Sequence, residues 1–242
     1  EIRVAVLGNC ATQFFSEAIQ GYGKISGLNL NVYDTDYNQI DAQLVDENSE
    51  VYAFHPDHIL IWLATDKIYE EFLEMDMSSR SRFAELYMQK LEHYWSLIAA
   101  KSKAHVIQMN FTEINDKVLG NYSCKVESTF CYQIRKLNFL LQEAMSKNGN
   151  IYPVDLLSLQ IQLGTKELYY APLYYNAKMC IDMKALPYVA KAVTDVLLAM
   201  SGKIKKCIVC DLDNTLWGGV IGDDGLGGIE IGELGRGHAF TN

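Results

Sequence analysis

Seven residues, His58-Ile59-Leu60-Ile61-Trp62-Leu63-Ala64, leave this chain few folds to choose from. A strand with one face in water alternates apolar and polar side chains. An almost unbroken apolar run is expected where both faces are covered, as in the parallel sheets of α/β proteins. The neighbouring sequence supplies the cover. Residues 2–7 read as a strand running into Gly8-Asn9-Cys10-Ala11-Thr12. Phe14, Phe15, Ala18 and Ile19 then recur at helical spacing, with Gly21 or Gly23 expected to end the helix. Further strands are expected at 28–33, 104–109 and 151–154. A long helix over 81–101 carries Phe83, Leu86, Tyr87, Leu91, Tyr94 and Ile98 on its buried stripe. A second begins at Ser128, taken as its N-cap, and carries Phe130, Ile134, Leu137, Leu141 and Met145. A third carries Leu186, Val189, Val193, Val196, Leu197 and Met200 and is capped by Gly202. Strands and helices alternate without repeats, which predicts an α/β fold: a three-layer α/β/α sandwich on a mainly parallel sheet.

Composition narrows the function. The 242 residues carry a net charge of −9, which argues against nucleic acid or an anionic membrane as the main partner. No apolar run approaches the roughly 18 residues of a membrane span. The six cysteines (10, 124, 131, 180, 207, 210) are scattered, as reduced thiols of a cytoplasmic protein would be. Cys207 and Cys210 spell C-x-x-C, but on a strand they face opposite sides, against a shared metal or redox role. The chain opens at Glu1 without Met and stops at Thr241-Asn242, so it reads as a trimmed piece of a longer protein.

Gly8-Asn9-Cys10 after the first strand resembles the Gly-Asp-Ser block of the SGNH (GDSL-type) esterases, in which the Ser is the nucleophile. The resemblance implies an SGNH/flavodoxin-like sheet over 1–202, and it also marks what is missing. Where that family has Gly-x-Asn-Asp, this chain has Leu63-Ala64-Thr65-Asp66. Where it has Asp-x-x-His, this chain has Asp155-Leu156-Leu157-Ser158. A thiol without a base is not activated. Gly8, Asn9, Cys10 and Asp155 are therefore expected to be a vestigial site, and hydrolysis by Cys10 is the weakest of the functional readings.

The strongest signal lies at 205–219. Two lysines and an apolar strand-like run lead into Asp211-Leu212-Asp213-Asn214-Thr215-Leu216-Trp217-Gly218-Gly219. On a strand, Asp211 and Asp213 would share one face, at the carboxyl end where α/β sheets place ligands. This stretch resembles motif I of the haloacid-dehalogenase (HAD) superfamily, Asp-x-Asp-x-Thr. Its continuation to Gly225 resembles the FkbH-like branch, HAD subfamily IIIC, whose members carry an SGNH-like domain first. The resemblance implies Asp211 as nucleophile and Asp213 as acid and base. It implies Mg²⁺ held by the Asp211 side chain, the Asp213 carbonyl and a later acidic residue, and a phosphate cradled by the N–H groups of Leu212, Asp213 and Asn214. Thr215 would brace the loop. Residues 220–221 and 229–231 would form a flap hairpin around a turn containing Asp223 and Asp224.

Residues 203–242 would thus begin a HAD Rossmann-like domain and stop before its motifs II to IV. This piece cannot bury a Rossmann core alone, and the fragment is expected to be inactive. For the parent protein the resemblance implies a phosphorylated three-carbon acid as substrate and an acyl carrier protein as acceptor of its glyceryl group. The alternative of another class is that 1–202 form a non-catalytic module that docks a carrier protein or positions the HAD domain.

Overall fold

The run at 58–64 supplies the middle strand of a five-stranded parallel sheet. The computed structural model describes residues 1–114, 116 and 118–241. Its strands are β1 (Ile2–Gly8), β2 (Leu30–Asp34), β3 (His58–Trp62), β4 (His105–Met109) and β5 (Ile151–Val154), in the order β2-β1-β3-β4-β5. All five residues of β3 are buried. Val4 pairs with His58, Gly8 with Trp62, and His58 with His105. Ile59, Ile61 and Leu63 enter one core; Leu60, Trp62 and Ala64 enter the other. This is the period-two alternation of a strand, with both faces apolar.

Parallel neighbours require crossovers, and here these are helical. One layer holds α2 (Ile40–Val45), α3 (Glu50–Ala53), α4 (Thr65–Glu74), α5 (Phe83–Lys101) and α6 (Phe130–Ser146). The opposite core takes α1 (Gln13–Ile25) and α10 (Leu186–Met200). Short helices α7 (Leu156–Leu163), α8 (Thr165–Leu168) and α9 (Ala171–Ala177) join them beyond β5. Phe15 of α1 meets Trp62 edge-on, 4.6 Å between ring centres.

Three local expectations are corrected. Helix α1 runs through Gly21 and Gly23 and ends before Gly27, whose φ of +74° suits glycine. At Gly23 a Cβ would stand 2.4 Å from Leu30 Cδ1, so this glycine lets α1 approach β2. The N-cap of α6 is Thr129, whose hydroxyl accepts the Tyr132 N–H at 3.4 Å, not Ser128. On α5, Leu86 is 41% exposed, whereas Met88 and Trp95 are buried. The Trp95 indole donates to Gln108 Oε1 of β4 at 3.1 Å, a bond across layers that helical periodicity does not encode.

Glu1–Ser201 and the residues from Gly202 onward form separate compact units. In the second, residues 203–211 form no strand and lie exposed, with Ile208 84% and Val209 94% accessible. A strand exists by pairing its N–H and C=O groups with a neighbour. The described residues of this unit supply only the isolated bridges Asp213–Trp217 and Gly218–Glu230. The expected hairpin is reduced to that second, antiparallel bridge, and 221–224 turn into a short helix, α11 (Ile221–Asp224). A last helix, α12, spans Gly235–Thr241.

Candidate functional site

In the second unit, residues 211–221 close into a hydrogen-bonded loop. Asp211 is exposed, and its Oδ1 accepts the Leu212 N–H at 2.8 Å. Asp213 is half-buried; its Oδ1 accepts both the Trp217 indole N–H at 3.1 Å and the Ile221 N–H at 3.2 Å. Asn214 takes the left-handed conformation, φ +54°, which Asn tolerates. Its side-chain oxygen accepts the Gly219 N–H at 2.9 Å, while its own N–H reaches the Gly219 carbonyl at 3.3 Å. The N–H groups of Thr215 and Leu216 both bond to the Leu212 carbonyl. Of the three N–H groups expected to cradle a phosphate, those of Leu212 and Asn214 are thus engaged inside the loop. Asp224 accepts the Val220 N–H at 2.8 Å, a turn-closing bond.

Hard oxygen donors suit Mg²⁺, so Asp211 and Asp213 fit that ion in kind. They do not fit it in number: among the described residues no three His, Cys, Asp or Glu side chains converge to hold a metal. Cys207 and Cys210 are exposed and free.

The turn after β1 is built for packing. A Cβ on Gly8 would stand 2.6 Å from Thr12 Cγ2. Asn9 is buried and ties the turn to the end of β3: its Oδ1 accepts the Ala64 N–H at 2.7 Å. Cys10 is 1% exposed. It packs in the same core as Cys180, and the adjoining Ala11 N–H reaches the Lys178 carbonyl at 2.9 Å. The segment 178–181 therefore seals the position where the esterases hold their nucleophile. This lid is a contact between residues 170 positions apart, and no local signal announced it.

Asp155 serves as N-cap of α7. It accepts the Ser158 N–H at 3.0 Å and the Asn110 amide at 2.7 Å. Burial works to raise its pKa, but these donors outweigh it and hold the carboxyl below its ordinary value. The histidines offer no replacement for the missing base. His58 and His105 begin β3 and β4, and His55 precedes them, so all three stand at the amino ends of the strands. His93 lies exposed on α5, and His238 belongs to the second unit. The structure thus brings Gly8, Asn9 and Cys10 together without an acid–base partner.

Comparison with known proteins agrees with this layout. Residues 3–198 match the family model described as FkbH, N-terminal domain. A search of curated proteins gave no match. Among solved structures, the chain is similar to the N-terminal part of the protein BF1531 from Bacteroides fragilis, a structure containing a phosphatase domain complexed with Mg. Identity is 34% and the TM-score 0.92, over 99% of this chain and 63% of that one. The chain thus spans less than two thirds of that relative. A lipase/acylhydrolase from Enterococcus faecalis (12% identity, TM-score 0.54, 86% of this chain and 100% of that) is also similar. So is the acetyl xylan esterase AlAXEase (13%, 0.53, 80% and 98%). At these identities the last two show the fold alone.

Proposed function

Because the chain belongs to the family of the FkbH N-terminal domain, we propose that it is the N-terminal portion of a Mg²⁺-dependent HAD-type phosphatase or phosphotransferase whose chemistry centres on Asp211 and Asp213. The observation that carries this reading is Asp211-Leu212-Asp213-Asn214-Thr215 held in a closed loop with Asp211 exposed. It occurs in a chain 34% identical to a Mg-complexed structure that contains a phosphatase domain. An Asp211 oxygen attacks phosphorus, the bond to the leaving oxygen breaks, and Asp213 gives that oxygen a proton. Water then attacks the aspartyl-phosphate while Asp213 takes its proton, releasing phosphate and restoring the Asp211 carboxylate and the protonated Asp213. When bound, Mg²⁺ offsets the repulsion between the substrate phosphate and these two acids. Asp211 and Asp213 would contribute to holding it, with the remaining ligand outside residues 1–242.

The substrate on this reading is a phosphorylated three-carbon acid, and the acceptor of its glyceryl group is an acyl carrier protein thiol. The setting is cytoplasmic; among the described residues no helix is long and apolar enough to cross a membrane. Residues 1–242 alone are expected to be inactive, since among the described residues no three acidic, His or Cys side chains converge to hold the ion. Mg²⁺-dependent phosphate release by the full-length protein, lost in Asp211→Asn and absent from residues 1–242, is the expected result. Turnover that survives Asp211→Asn, or that the 242-residue chain performs, overturns it.

A second reading concerns residues 1–202 alone. The sealed Cys10 and the absence of a nearby histidine favour a non-hydrolytic module that docks a carrier protein or positions the catalytic domain. Carrier binding that persists in full-length Asp211→Asn while turnover vanishes supports it. Ester hydrolysis lost in Cys10→Ala sinks it.

A further inference from the structure

At the carboxyl ends of β3 and β4, within the first unit, a cleft of about 520 Å³ opens between α4, the segment after β4 and residues 165–181. Its size lies within the roughly 300–1,000 Å³ of small-molecule sites, and its position is where open parallel sheets take ligands. Four tyrosines line it, Tyr69, Tyr169, Tyr174 and Tyr175, beside Asp66 and Glu70; among the described residues no lysine, arginine or histidine does.

The carboxylates around it are not equivalent. Glu113 is held by both nitrogens of the Arg135 fork at 2.7 Å. Glu70 has Lys67 Nζ at 2.8 Å and accepts the Tyr174 hydroxyl at 2.6 Å. Asp66 accepts the Tyr169 hydroxyl and makes no salt bridge among the described residues. Burial pushes the Asp66 carboxyl up, and neighbouring Glu70 adds to that push. Among the described residues, one half-buried carboxylate therefore faces an aromatic cleft without a salt-bridge partner. Phosphate or a fatty carboxylate would meet repulsion there. A cation would meet Asp66, and over tyrosine faces it gains the attraction of the ring quadrupoles.

We propose that this cleft binds a small organic ammonium ion, with its charge at Asp66 and its carbon frame against Tyr69, Tyr169 and Tyr175; the Tyr174 ring already carries Lys178 Nζ 4.9 Å from its centre. Cys180 lies in the wall of the cleft. The inference does not depend on the chemistry of Asp211, since every residue it uses lies between 66 and 181.

The test is calorimetric titration of the whole chain at neutral pH with 2-phenylethylamine and with tetramethylammonium, against 2-phenylethanol and 3-phenylpropanoate. At least one cation binds saturably, while the alcohol binds more weakly and the carboxylate not at all. Asp66→Asn keeps an oxygen for the Tyr169 hydroxyl and removes the charge; Tyr175→Ala removes an exposed ring from the wall. Asp66→Asn weakens the cation by about ten-fold or more and Tyr175→Ala by about two- to five-fold, as loss of a charge partner and of an exposed cation–π face imply, with circular dichroism melts showing both variants folded. Saturable binding of neither cation, equal binding of 3-phenylpropanoate, or unchanged affinity in folded Asp66→Asn or Tyr175→Ala overturns the proposal. If Asp66→Asn fails to fold, the charge series and Tyr175→Ala decide.

Discussion

Cys10 and Cys180 are buried neighbours in one core, one thiol in the turn after β1 and the other in the wall of the tyrosine cleft. The Cys10 thiol, with burial second, pushes the Cys180 thiol well up. A thiol attacks alkylating agents as its thiolate. Iodoacetamide at pH 8 is therefore expected to modify the exposed Cys124, Cys207 and Cys210 within minutes and to spare Cys10 and Cys180 until the protein unfolds. Peptide mass spectrometry reads this directly. Rapid labelling of Cys10 in folded protein would show that the seal opens.

Gln133 is a fully buried polar side chain, and it spends all its hydrogen-bonding capacity on backbone. Its Oε1 accepts the Ala84 N–H at 2.8 Å, and its Nε2 donates to the carbonyls of Ser81 at 3.0 Å and Glu127 at 2.7 Å. It thereby pins the start of α5 to the start of α6. Gln133→Leu keeps the volume but leaves the buried Ala84 N–H and two part-buried carbonyls without this partner. A buried unpaired group costs about 1–3 kcal/mol, and a loss in that range is the expected value in urea unfolding. A loss under 1 kcal/mol would mean that water reaches these groups.

The same residue shows where sequence stops being informative. The strand at 58–64 was legible because both faces are apolar, and the sheet followed from the alternation around it. Gln133 falls within an amphipathic helix and looks like any polar position, since its partners lie up to 52 residues away. Leu86 was expected on the buried stripe and is exposed, whereas Trp95, not among the residues expected there, is buried with its indole on an acceptor in β4. Residues 205–211 have the composition of a strand, yet none forms there, because strand propensity cannot substitute for a neighbour to pair with. The Gly8-Asn9-Cys10 turn was recognisable from its glycine and its position after β1; the thiol that covers it, Cys180, was not.

His58 sets a pH dependence for the first unit. Burial, with the stacked ring of His105 5.8 Å away, pushes its pKa down to about 4, and Asp57 opposes only in part. Among the described residues its buried Nδ1 has no partner. In the unfolded chain His58 titrates near 6.5. Between those values the unfolded state binds more protons, so stability rises with pH through that window and is lost as pH falls from about 6.5 toward 4. The expected loss is roughly 1–3 kcal/mol, read from urea midpoints at pH 7 and pH 5. In His58→Leu that part of the slope disappears. A variant as acid-sensitive as the parent would move the cause to other groups.

Asp213 has two candidate contributions that substitution can separate. Its Oδ1 organises the loop by accepting from the Trp217 indole and the Ile221 N–H; on the proposed mechanism the same carboxyl moves the proton. Asp213→Asn retains an amide oxygen for both donors but cannot act as acid or base. Trp217→Phe removes one donor and leaves the carboxyl. If Asp213 works as a proton carrier, Asp213→Asn in the full-length protein lowers Mg²⁺-dependent phosphate release by about 10²–10⁴-fold. Trp217→Phe then costs no more than about ten-fold, because a neutral hydrogen bond contributes about 0.5–1.5 kcal/mol. If the carboxyl only braces the loop, the order reverses and Asp213→Asn remains nearly as active as the parent. Phosphate release by both variants, measured at saturating Mg²⁺, decides between proton transfer and bracing.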